Sequence, residues 1–141
     1  MKTEIIKKDL NKLKSLPNLP DYEKGYKGFD PKEAASQIDF ENGKLNAAYN
    51  AIERNALNWR KNKIALYWIG DNWQKEKFTF EELNALSNQF ANLLHDLEID
   101  IGNRVFFFLS RIPELFYGFL GTLKRGSIAG TMFAADRKSV V

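Results

Sequence analysis

Few residues of this chain have the types and spacing that chemistry needs. His95 is the only histidine. It stands between Leu94 and Asp96 in an expected helix. No second histidine can share a metal with it or polarise a serine, so it reads as a surface or partly packed residue. Asp96, Glu98 and Asp100 are close in sequence, but they read as solvated charges around a helix end and not as an acid/base pair. The segment from Gly121 to Gly126 has glycines at both ends, yet a phosphate-cradling loop needs a strand before it and Gly-Lys-Ser/Thr at its end. Here it closes a helix, and Gly118 and Gly121 are expected to let that helix pack closely on a sheet. Neither G-x-S-x-G nor G-x-G-x-x-G occurs. With no cysteine, disulfides, thiolate metal sites and cysteine nucleophiles are excluded. Arg111 is the one residue to flag. It follows an apolar strand at its C-terminal end, where open α/β sheets place ligands, and a guanidinium there can meet a phosphate or carboxylate. The competing reading, which the residues favour, is an ion pair with a nearby carboxylate such as Glu114.

The elements that must position these residues are legible from periodicity. Residues 104–133, RVFFFLSRIPELFYGFLGTLKRGSIAGTMF, hold a dense apolar run, a proline-led helix and a second apolar run, the parts of a strand–helix–strand unit. Residues 104–109 show no alternation, which predicts a strand covered on both faces. Pro113 opens a helix to about Lys124, with Glu114 in its first turn and Lys124 and Arg125 at its end, as the helix dipole favours. Gly126 suits the position just past that helix, and residues 127–133 form the next strand. Upstream, Ile64 to Ile69 and residues 73–78 predict a hairpin turned by Gly70-Asp71-Asn72, resembling a sheet edge. Thr79 and Glu82 form a capping box for a long helix over 80–97, with Leu83, Leu86, Phe90, Leu93 and Leu97 as its core stripe. Leu45, Tyr49, Ile52, Ala56 and Trp59 share one face of an earlier helix, capped by Asn46 and ended by Lys61-Asn62-Lys63. Asn42-Gly43 signals a turn. Asp30-Pro31-Lys32-Glu33 is a helix start of capping-box type. Residues 1–28 read as a short lysine-rich helix followed by irregular chain.

Composition bounds the rest. The 44% hydrophobic and 13% aromatic content is globular. Net charge is 21 − 18 = +3, with part of the excess in Lys2, Lys7, Lys8, Lys12 and Lys14, which read as a solvated or frayed amphipathic terminus. No basic stripe interleaved with exposed aromatics is seen, so no nucleic-acid partner is expected. The N-terminus lacks the apolar core of a secretory signal, and no run is long enough to span a membrane. The expected location is the cytoplasm.

In order, Lys63-IALYWIG, Phe78-TFEEL, Leu86-SNQFANL, Gly102-Asn103-Arg104-Val105, Pro113-Glu114 and Leu123-Lys-Arg-Gly126 resemble the opening of the adenylate-forming enzymes: acyl-CoA synthetases, adenylation domains and luciferases. Asn103, Phe78 and Ser127 stand where that family usually has Asp, Tyr and Ala. Tyr22-Glu23, Phe29-Asp30, Phe40, residues 43–49 and Ala51-Ile52-Glu53-Arg54 are similar to the N-terminal segment of acetate–CoA ligases, with Pro31 and Glu53 departing from the pattern. The resemblance runs from about Tyr22 to Phe133.

What it implies is an α/β fold: the incomplete N-terminal part of the large domain of an adenylate-forming enzyme, with an edge hairpin and a strand–helix–strand unit of a mixed sheet. It implies an AMP-forming acid–thiol ligase using ATP, CoA and Mg²⁺ on a small carboxylate, with acetate as the expected acid. The Ser/Thr-Gly-rich phosphate loop, the adenine and ribose contacts and the catalytic lysine have no counterpart here. No catalytic or metal residue is assigned, cofactor contacts are unknown, and neither Arg111 nor Phe133 matches a motif that would transfer one. The chain alone is expected to be inactive and to bind these molecules weakly. Two alternatives stand: another short- or medium-chain acyl-CoA synthetase, or a genuine short non-catalytic binding protein.

The expected organisation is an N-terminal segment over 1–44, the beginning of an AMP-binding domain over 45–135, and a non-native tail over 136–141. Asp136 to Val141 can be encoded by GAT CGG AAG AGC GTC GTG, followed by TAG, which matches a common short-read sequencing adapter. The reading is therefore of an opening piece of a longer enzyme.

Overall fold

The computed structural model describes residues 9–15, 17–40 and 43–132. The readings on residues 1–8, part of the Asn42-Gly43 turn, Phe133 and the 136–141 tail lie outside the described residues. The chain divides into two compact units, Met1–Ile38 and Asp39–Val141.

The first unit holds a short 3₁₀ turn at Leu10–Lys12 and two short helices, α1 (Tyr22–Lys27) and α2 (Pro31–Ser36). The Asp21 carboxylate accepts the Lys24 N–H at 3.1 Å, and Asp30 accepts the Lys32 N–H at 2.8 Å. Pro31 occupies the first helical turn, as expected. None of these elements buries a described residue.

The second unit begins with a helical segment that departs from the expected continuous helix. Asn46 caps it, its Oδ1 accepting from the N–H groups of Ala48 (2.9 Å) and Tyr49 (3.2 Å). A π-helical turn then spans Tyr49–Glu53, α3 covers only Arg54–Ala56, and turns follow to residue 62. The cause is side-chain competition. Asn50, Asn55 and Asn58 each donate their amide to the carbonyl four residues back, at 3.1, 2.9 and 2.6 Å. The predicted apolar face is accordingly incomplete. Ala48 and Ile52 are buried, while Leu45 and Trp59 are exposed, and the Trp59 ring carries Arg60 and Lys63 over it.

β1 (Ile64–Ile69) and β2 (Lys75–Thr79) form the expected antiparallel hairpin, with a bulge between Ile64 and Leu66. Its turn holds Trp73 at φ 59°, a conformation that bulky side chains rarely adopt. The capping box opens α4 (Phe80–Asp96): Thr79 Oγ1 accepts the Glu82 N–H at 3.2 Å, and the Glu82 carboxylate accepts the Thr79 N–H at 2.8 Å. α4 buries Leu83, Ser87 and Leu94, whereas Leu93 and Leu97 of the predicted stripe are exposed. The buried face follows the true helical period of 3.6, from which a seven-residue repeat drifts.

β3 (Arg104–Phe107), α5 (Pro113–Lys124) and β4 (Ile128–Thr131) realise the strand–helix–strand unit, with β3 and β4 parallel and Val105 opposite Ala129. Gly126 sits just past α5 at φ +76°. α4 and α5 pack together through small residues. A Cβ on Gly121 would lie 2.6 Å from the Ser87 carbonyl oxygen, and one on Gly118 would lie 2.9 Å from the Phe107 ring. The close approach expected of α5 on the sheet thus rests on Gly118, while Gly121 serves the helix–helix contact. The expectation that β3 is covered on both faces is corrected: Phe107 is buried but Phe106 is 63% exposed. Burial alternates because α5 and α4 cover one face only. Among the described residues the two strand pairs do not join into one sheet. A side chain links them instead, the Trp68 indole N–H donating to the Arg111 carbonyl at 2.7 Å.

Candidate functional site

The chain beyond β3 turns at Ser110 and Arg111 before Pro113 starts α5. This places Arg111 at the C-terminal end of a parallel strand, as expected. Its side chain is exposed, and no carboxylate among the described residues lies within ion-pair distance of it, Glu114 included. What holds the residue is its backbone, through the Trp68 indole.

A shallow cavity of about 380 Å³ lies along β3, among Phe90, Phe106, Phe108, Leu109 and Tyr117. Its one charged lining residue is Glu114. Tyr117's phenol is pushed up in pKa, first by burial and then by the negative charge of the Glu114 carboxylate. An aromatic groove with a carboxylate at its side offers no phosphate a complementary charge, so these residues do not fit ATP or CoA phosphates. Among the described residues no group of three His, Cys, Asp or Glu side chains is placed to hold a metal ion. No step is therefore assigned to Mg²⁺ here.

The other flagged residues separate. His95 is exposed, and its Nδ1 lies 3.0 Å from Arg125 Nη2. Arg125 also donates to the Ile99 carbonyl (3.0 Å) and to Asp100 Oδ1 (2.7 Å), so it ties the loop after α4 to the end of α5. Asp96 and Glu98 remain solvated, and Asp100 is paired but largely exposed. His95, Asp100 and Arg125 thus meet as a surface fastening, and the hydroxyl beside it, Ser127, is buried and donates to the Asp100 carbonyl at 2.9 Å.

Lys124 was expected only as a favourable charge at the end of a helix, and its environment is richer than that. Its side chain is 7% exposed, and Nζ donates to Asn84 Oδ1 (2.5 Å) and Asn88 Oδ1 (2.6 Å), with Glu53 Oε2 at 3.7 Å. Burial pushes its pKa down, and the Glu53 carboxylate only partly offsets this. Asn84 and Asn88 lie four apart on one helical face, a signal visible in sequence only once their partner is known.

The described geometry is thus a scaffold with an apolar groove. A family model described as "AMP-binding enzyme" matches residues 52–137. This chain belongs to that family. It is 44% identical over 137 residues to the acetyl-coenzyme A synthetase of Bacillus subtilis, covering 92% of this chain and 24% of that protein. It is 33% identical over 113 residues to the 3-hydroxypropionyl-coenzyme A synthetase of Sulfurisphaera tokodaii, covering 80% and 17%. Among solved structures, an acyl-CoA synthetase of Brucella canis matches with a TM-score of 0.71 at 29% identity, over 81% of this chain and 21% of that one. A fatty acyl-adenylate ligase of L. pneumophila shares the fold, with a TM-score of 0.58 at 23% identity, over 68% and 17%. The chain spans a quarter or less of the length of each of these relatives. Its fold is accordingly part of the α/β fold of adenylate-forming acyl-CoA synthetases.

Proposed function

We propose that this chain is the opening portion of an AMP-forming acetate–CoA ligase. The observation that carries this reading is the 44% identity to an acetyl-coenzyme A synthetase over 92% of the chain. In the reaction, an acetate oxygen attacks the α-phosphorus of ATP and expels pyrophosphate, leaving acetyl-AMP. The CoA thiol then attacks the acyl carbon, loses its proton and expels AMP. The described residues contribute the frame: α4 and α5 locked together, with a hairpin tied to the end of β3. In this reading residues 1–44 precede the AMP-binding domain, residues 45–135 begin it, and residues 136–141 are a tail foreign to it. The enzyme would draw on the ATP and CoA of the cytoplasm, with acetate as its small-molecule partner.

A second reading, another short-chain acid, is favoured by the 33% identity to the 3-hydroxypropionyl-coenzyme A synthetase.

The test is to sequence the genomic DNA around codon 136. An open frame continuing past Ala135 into a Ser/Thr-Gly-rich loop and a distal lysine supports the proposal. Codons at 136–141 that differ from the adapter, followed by a genomic stop, overturn it. The protein from the extended frame should exchange pyrophosphate into ATP only when acetate is supplied, whereas exchange driven better by 3-hydroxypropionate selects the second reading. The present chain should show no exchange, and measurable exchange would overturn its assignment as a portion.

A further inference from the structure

The segment from Asn46 to Ala56 makes polar contacts on two sides. On one side Asn50 accepts the Asp39 N–H at 2.8 Å and donates to the Asp39 carbonyl at 2.9 Å, as a neighbouring strand would. Arg54 Nη1 adds a 3.4 Å contact to the Asp39 carboxylate. On the other side the segment meets the ends of α4 and α5. Asn46 Nδ2 donates to the Leu123 carbonyl at 3.0 Å, and Glu53 faces Lys124 at 3.7 Å. Apolar anchoring is slight, with Ala48 and Ile52 the segment's buried hydrophobics. Lys124 bridges this segment to α4, since its ammonium is shared between Glu53 and the amides of Asn84 and Asn88.

We infer that the described residues from Asp39 to Ala56 form a clasp with Lys124 as its catch, which releases as one unit when the ammonium is removed, while α4 and α5 stay packed. The charges facing Lys124 are limited to Glu53, because α4 presents only neutral amides to it. Taking an ammonium out of water is costly, and replacing a buried charge by an apolar group of similar size is often neutral for overall stability. The ammonium therefore acts on where the segment sits more than on whether the helices fold. Glu53 and Asn46 hold the segment from its own side, and Asn50 and Arg54 pass that position on to Asp39.

The test is hydrogen–deuterium exchange, read by mass spectrometry on the whole chain and on Lys124→Met, which keeps the length of the side chain and removes its charge. The expected result is an increase of about tenfold or more in exchange over residues 39–56, with amides of α4 and α5 unchanged. Glu53→Gln should loosen the same residues and no others. An equal rise in α4 and α5 overturns the proposal, because Lys124 would then be a general stabiliser. Unchanged exchange in Lys124→Met overturns it, and so does a starting chain whose residues 39–56 already exchange at random-coil rates.

Discussion

Trp73 holds φ 59° in the hairpin turn while its side chain is 79% exposed, so strain there is offset by little packing. A left-handed conformation costs an L-residue about 1–2 kcal/mol, and glycine gives part of that back in unfolded-state entropy. Trp73→Gly should therefore stabilise the chain by up to about 1 kcal/mol, seen as a higher urea midpoint. Gly121 is the opposite case. A methyl group there meets the Ser87 carbonyl and the Phe90 Cβ, neither of which can swing away. Gly121→Ala should cost about 1–3 kcal/mol in the same titration. The importance of both glycines of α5 was legible as spacing. That Gly121 faces α4 and not the sheet was not, since one helix pattern does not say which neighbour lies on which side.

Helix α4 owes its start to local chemistry and its seat to packing. Thr79→Ala should lower stability by about 1 kcal/mol, measured by thermal unfolding followed by circular dichroism. The Glu82 carboxyl is held below its ordinary range, first by the Thr79 N–H and then by its hydroxyl. The folded state thus binds that proton more weakly than the unfolded chain. The cap's contribution is whole above the ordinary glutamate range and is lost as pH falls from there through the lowered folded value. Glu82→Gln should remove this acid-side slope, whereas Thr79→Ala, which keeps the backbone N–H, should only reduce it. Further along the helix, Leu94→Ala should cost about 2–5 kcal/mol, because Leu94 is 5% exposed. Leu93→Ala and Leu97→Ala, at positions 51% and 62% exposed, should stay within about 0.5 kcal/mol in the same unfolding assay. The capping box was readable because both partners lie within one turn. The buried face was misplaced because a leucine repeat of seven matches the helical period only over a short distance.

Taken whole, the second unit carries apolar surface on the side of its β3–β4 pair away from the helices. Phe106, Phe108, Ile128 and Met132 are 63%, 44%, 52% and 48% exposed. A contiguous face of this kind drives association and binds hydrophobic dyes. The purified chain should therefore bind anilinonaphthalene sulfonate and self-associate with concentration. Phe106→Glu should reduce both without lowering helical content, and light scattering alongside dye fluorescence checks this. An aromatic-rich strand reads in sequence as one wrapped on both sides. The actual exposure depends on which layers this chain itself supplies.

The order of β1, β2, α4, β3, α5 and β4, the helix caps at Asp30, Asn46 and Thr79, the turn glycines and the resemblance to adenylate-forming enzymes were set by residues near one another in sequence. Such features arise from backbone geometry and short-range hydrogen bonds, so they survive without a fold around them. The pairing of Lys124 with Glu53, Asn84 and Asn88, the Trp68 tie to Arg111 and the one-sided covering of β3 join residues far apart in the chain. Each depends on the angle at which two elements meet and on the desolvation of a few side chains. Neither quantity exists until the elements have packed.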